Sequence, residues 1–140
     1  MYHTEFCKVS YQKNLNAILC EWKAFCKGKE YREPLLYGLN LLASTKASSW
    51  VTDTTHGFKN RLEDTEWLLE TFIPQTIESS CKNLFFIMAE DSTLKEEIEG
   101  QAAALGEYFN IYIIESMQEV EAILGKNFID KIPFSKHIGT

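Results

Sequence analysis

The densest run of chemistry-bearing side chains in this 140-residue sequence is Asp53-Thr54-Thr55-His56-Gly57, with Lys59 and Arg61 close behind. A carboxylate, two hydroxyls, an imidazole and two cations at this spacing could hold a protein partner or a small anion, and His56 could move a proton near neutral pH. The competing reading is that Asp53 and the threonines satisfy backbone amides in a turn, while a lone loop histidine stays in solvent. Elsewhere the carboxylate pairs Glu63/Asp64, Glu90/Asp91 and Glu96/Glu97 are sequential, so on a helix they diverge instead of sharing a proton. A nucleophile elbow, a phosphate-cradling glycine loop and a zincin helix are all missing from the sequence. Four cysteines (Cys7, Cys20, Cys26 and Cys81) show no two-residue spacing, and only three histidines could assist them. They read as buried structural thiols, reduced in a cytosol, with a disulfide or a metal site as the alternatives.

These residues must be positioned by elements that periodicity reveals. Phe6–Tyr11 and Ala17–Trp22 read as a hairpin joined by the polar turn Gln12–Asn16. Tyr31, Leu35, Leu39 and Leu42 form one helical stripe, and Pro34 places that helix's start near Glu30 to Glu33. Ser49–Asp53 is a third strand, followed by a polar loop. A second helix begins around Asn60 to Asp64, carries Trp67, Leu68 and Phe72, and is kinked or interrupted at Pro74. Leu84–Ala89 is a strand apolar enough for burial on both faces. Thr93 with Glu96 reads as a capping box for a third helix, whose stripe is Leu94, Ile98, Ala102, Leu105 and Tyr108 or Phe109. Ile111–Ile114 is the fifth strand. Ser116 with Glu119 opens a last helix capped at Gly125. The order β-β-α-β-α-β-α-β-α predicts an α/β fold: a mostly parallel five-stranded sheet with flanking helices and an antiparallel first strand.

The hydrophobic fraction of 45% and charged fraction of 24% fit one soluble domain and exclude a disordered or collagen-like chain. Apolar runs are too short to span a bilayer, and Met1–Glu5 lacks the basic, apolar pattern of an export signal, so a cytoplasmic location is expected. The net charge of −6 argues against nucleic acid and anionic membranes. It is unevenly spread: +4 over residues 1–61 and −10 over residues 62–140.

Trp22-Lys23-Ala24-Phe25 at the end of a strand, Trp50-Val51-Thr52-Asp53 after the first helix, Glu63-Asp64-Thr65-Glu66-Trp67 opening the second, and the final Glu115–Ala122 come in a telling succession. That succession, over roughly residues 6–125, resembles the STAS-like (SpoIIAA-like) domains, in particular the stand-alone proteins of Bacteroidetes-type bacteria. The resemblance implies one STAS-fold domain over 1–125, with 126–140 as a tail packing on the domain or on a partner. It also implies a non-enzymatic regulatory module that acts through protein–protein contact, without cofactor. Small-molecule or lipid sensing is the alternative, and homodimerisation stays open. In related anti-sigma antagonists a serine in the turn after this strand is phosphorylated. Thr54 or Thr55 would stand in its place, although both are threonines and further loop residues precede the helix.

A response-regulator receiver with Asp53 as phosphoacceptor is rejected, because Trp22-Lys23 and Glu115-Ser116 occupy the places of its acidic pair and lysine. Ligands of open α/β sheets gather at the carboxyl ends of parallel strands. There Lys23, Lys27, Lys29, His56, Lys59 and Arg61 would make a basic half-rim, and Glu90, Asp91 and Glu115 an acidic one. Such a rim would dock a protein or a small anion, the alternative being solvated loop charges.

Overall fold

The computed structural model describes residues 1–130, with side chains described through Gly125. Six strands form one sheet in the order of the chain: β1 (Tyr2–His3), β2 (Cys7–Gln12), β3 (Ala17–Trp22), β4 (Ser49–Asp53), β5 (Asn83–Ile87) and β6 (Asn110–Ile114). The first two pairings are antiparallel and the other three parallel. The alternating, largely parallel α/β arrangement is therefore as expected, but the sheet has six strands, not five. The addition is β1, which sets Tyr2 opposite Val9. Two residues are too few to show a period, so only the pairing reveals it.

The helices are α1 (Lys29–Thr45), α2 (Leu62–Trp67), α3 (Ile73–Ile77), α4 (Lys95–Leu105) and α5 (Met117–Asp130). Each strand from β3 to β6 lies directly beside its predecessor, and parallel crossovers are right-handed. The three crossovers therefore fall on one face. That face buries Ile18, Cys20, Trp22, Trp50 and Leu84 beneath Tyr31 and Leu35 of α1, Phe72, and Leu105 of α4. On the opposite face Leu19, Val51, Phe85 and Ile87 pack with Val120 of α5, the one helix there among the described residues. Because the strand order never reverses, the sheet has no switch-point crevice of the kind that usually collects ligands.

Several local expectations are corrected. α1 begins at Lys29, so Pro34 is its sixth residue and not part of its first turn. Its start is fixed from outside, where Gly28, at φ 58°, donates its N–H to the Asp64 carboxylate. α2 does not break at Pro74. A five-residue π-helical turn, Leu68–Phe72, joins α2 to α3, and the Ile73 N–H reaches back five residues to the Leu68 carbonyl. Pro74 then lies at the start of α3, directly after the wider π-helical turn.

The Thr93/Glu96 box does not form: the Leu94 N–H is taken by Ser92 Oγ at 3.1 Å instead. At α5, Ser116 Oγ accepts the Glu119 N–H, but the Glu119 carboxylate accepts from Glu115 N, one residue ahead of the expected partner. Gly125 does not cap α5, which continues to Asp130. Among the described glycines only Gly28 has a positive φ, and without that conformation a glycine is merely a weak helix residue. The expected packing of the 126–140 tail lies outside the described residues beyond the backbone of α5.

Candidate functional site

The crossover face is not closed everywhere. A cavity of about 120 Å³ lies between the helical run Leu62–Ile77 and α4. Its floor is Trp50 and Thr52 of β4 with Leu84 and Phe86 of β5. Leu68, Leu69, Phe72 and Ile73 form one wall, and Leu94, Ile98 and Leu105 the other. Thr52 is a small residue among large ones. It leaves room above the sheet and accepts the Trp50 indole N–H at 3.1 Å. Phe72 meets Trp50 edge-on at 5.1 Å, so the floor is rigidly set. Phe86 is half-buried between the buried Phe85 and Ile87 because it faces this space. The π-helical turn supplies part of the wall, and such turns inside α-helical runs occur often at functional sites.

An aromatic group closes the end of the cavity nearest the strands' carboxyl termini. Trp22 stacks on Tyr31 at 5.0 Å, Phe58 meets Trp22 edge-on at 5.7 Å, and the half-exposed Phe25 covers Phe58 at 5.2 Å. Asn60 donates to the Tyr31 hydroxyl at 2.9 Å. Burial pushes that hydroxyl's pKa well up, so Tyr31 is neutral across the physiological range. Polar groups are few on the inner surface: Thr52, Thr54, Asn60, Glu97 and Gln101. A shallower depression continues outward over Lys59, Thr93 and Glu96, sharing Phe58, Leu94 and Glu97 with the cavity.

The residues singled out in the sequence divide around this site. Asp53 Oδ1 accepts both the Thr55 N–H at 2.9 Å and the Thr55 hydroxyl at 2.6 Å, which makes a turn. The Thr54 hydroxyl donates to the Ile87 carbonyl at 2.7 Å and ties the loop to β5, while Thr54 also lines the cavity. Thr55 and His56 are exposed. Three of the cations have acceptors of their own. Lys23 Nζ lies 2.6 Å from His3 Nε2, Lys29 pairs with Glu33 and Arg61 with Glu63. Lys27 is exposed, and so are Glu90, Asp91 and Glu115. Lys59 alone of the set borders the depression, opposite Glu96 and Glu97.

The four cysteines are free and buried, with Cys7 Sγ 3.6 Å from Cys20 Sγ. Burial pushes the Cys26 and Cys81 thiols up to about 12, the opposite of what a nucleophile needs.

Glu97 and Gln101 carry no signal of their own as a pair of residue types. Their signal is positional: Leu94, Glu97, Ile98, Gln101 and Leu105 follow the three-and-four spacing of α4's inward face. Two polar residues interrupt a stripe that otherwise meets the sheet. The stripe Leu94, Ile98, Ala102, Leu105 passes over them.

No protein-family model, no curated protein and no solved structure matches the chain. The functional conclusion therefore rests on the geometry of the site. Among the described residues no helix is long and apolar enough to cross a membrane.

Proposed function

We propose that this chain is a non-enzymatic regulatory module of STAS-like type that binds a small, largely apolar molecule on the crossover face of its sheet. The observation that carries this reading is the aromatic-lined cavity of about 120 Å³. An apolar cavity of roughly 150 Å³ in another protein is known to take up benzene, so the scale suits a single ring. A binding role over catalysis is supported by the lining, which is mostly apolar and offers hydroxyls, amides and the single carboxylate of Glu97, with no thiol or imidazole beside it. The family reading is supported by the order of elements, with an antiparallel entry followed by alternating strands and helices.

Titration with toluene, followed through the fluorescence of Trp22 and Trp50, tests the reading. Saturable binding with a dissociation constant of about 1 mM or tighter is expected for a seven-atom ligand. Leu94→Trp, which fills the wall, should abolish it. A linear, unsaturable response in the native chain would remove the ligand-binding role. A second reading, contact with a protein partner or a second copy, is favoured by Leu69 and Phe25. Both are about half exposed beside the cavity, at 50% and 52%. In that case Phe25→Ser, a change outside the cavity lining, abolishes self-association seen by sedimentation while toluene binding persists.

A further inference from the structure

We infer that the cavity's ligand is a small primary amine: an aryl or alkyl body of roughly seven non-hydrogen atoms carrying one ammonium group. This rests on the proposed ligand-binding role of the same cavity and names the chemistry it selects.

Size and shape come from the apolar part, where Trp50, Phe86, Leu84 and Ile98 leave room for a ring but little more. Charge comes from α4. Glu97 is half-buried and lines both the inner cavity and the outer depression, so its carboxylate stands where the two meet. Among the described residues no ion pair reaches it, although Lys59 borders the same depression. Glu96 adds a second negative charge at the mouth, leaving a formal excess of one.

A carboxylate on the inward face of a helix is costly to desolvate unless a cation or a set of donors meets it. An ammonium group offers three donors, and at the mouth it keeps part of its hydration. Gln101, one turn further along the same face, and Asn60, whose amide N–H₂ donates to Tyr31, also line the cavity, and each amide has a carbonyl oxygen able to accept. A carboxylate ligand would instead meet Glu97 and Glu96 with like charge.

Three probes of one ring size separate the possibilities: benzylamine, toluene and benzoate, each titrated into the full chain at pH 7 by calorimetry and by chemical-shift changes at Trp22 and Trp50. Benzylamine should bind about tenfold or more tighter than toluene, the scale of a charge-assisted hydrogen bond. Benzoate should bind weakest. Glu97→Gln should erase the benzylamine advantage, read as the ratio of the benzylamine and toluene constants within the same variant. Glu97→Lys should move the preference to benzoate. The toluene constant of each variant reports whether its pocket is still folded. If benzylamine binds no tighter than toluene, or keeps its advantage in both variants, the amine assignment is overturned and the pocket stands. If none of the three binds the native chain, the pocket falls with it.

Discussion

At Asp64 a carboxylate that nothing in the sequence marks for burial is 2% exposed. It accepts the Gly28 N–H through both oxygens, at 3.2 and 3.0 Å, and the Arg32 Nε at 3.1 Å. Arg32 in turn lies over the Trp67 ring at 5.6 Å and reaches the Glu63 carbonyl. One side chain thus pins the turn before α1, the first turns of α1 and the start of α2. Gly28 is needed there because its φ of 58° is strained for other residues. Removing one partner of a buried ion pair costs about 3–5 kcal/mol, but the Arg32 side chain is 35% exposed and can return to water. Asp64→Ala should therefore cost about 2–3 kcal/mol, chiefly from orphaned donors, as read by urea unfolding. A loss under about 0.5 kcal/mol, the level of an ordinary surface change, would show that the clamp is ornamental.

Between elements, Gly38 brings α1 close against Trp50 of β4. A methyl group at Gly38 would overlap the outer edge of the Trp50 indole. Trp50 is held in place, being 3% exposed, edge-packed on Phe72 and hydrogen-bonded to Thr52, and the one space beside it is the cavity it floors. Two effects oppose each other in Gly38→Ala. Helix propensity favours alanine by about 1 kcal/mol, whereas overpacking a filled interior costs about 1–3 kcal/mol and more when the neighbour is locked. Overpacking should win, with a lowered unfolding midpoint and a disturbed cavity, since Trp50 is its floor. Gly100→Ala in α4 is the control: nothing lies within 4 Å of the added carbon. There propensity acts alone and stability should rise by about 0.5–1 kcal/mol. Equal shifts of one sign in the two variants would contradict this account of α1 on β4. The two glycines are indistinguishable in the sequence, since both sit inside helical patterns.

For the molecule as a whole, the buried thiols and phenol set a limit on the alkaline side. Cys26 and Cys81 are pushed by burial from 9.0 up to about 12, and Cys20 and Tyr31 move in the same direction. For Cys20 the largest cause is its hydrogen bond with Cys7. A native pKa above the unfolded one means that the unfolded chain releases its protons first. The contribution to stability is complete below about pH 9 and is lost as pH climbs toward about 12. Urea midpoints from these groups should be level between pH 6 and about 8 and fall steeply above about 9, and Cys26→Ala with Cys81→Ala should flatten that fall. An unaltered fall in the double variant would place its origin in other groups.

Alternation and three-to-four spacing in the sequence determined the strands Cys7–Gln12, Ala17–Trp22 and Ser49–Asp53, the helical stripes, and the parallel α/β class, because each depends on neighbours a few residues apart. The Asp53 turn was legible for the same reason: its partner is two residues away. The edge strand at Tyr2, the burial of Asp64 and the space above Thr52 were decided only by tertiary structure. The ladder that defines Tyr2–His3 lies across a turn. Gly28 is 36 residues from Asp64. The cavity exists because right-handed crossovers between consecutive neighbouring strands send three connections to one face, where α4 and the Leu62–Ile77 run part above the sheet. The charge division of +4 and −10 belongs to sequence position. The meeting of Glu97 with an aromatic pocket belongs to the fold, since periodicity can assign Glu97 to an inward face but cannot show that the face opposite is open.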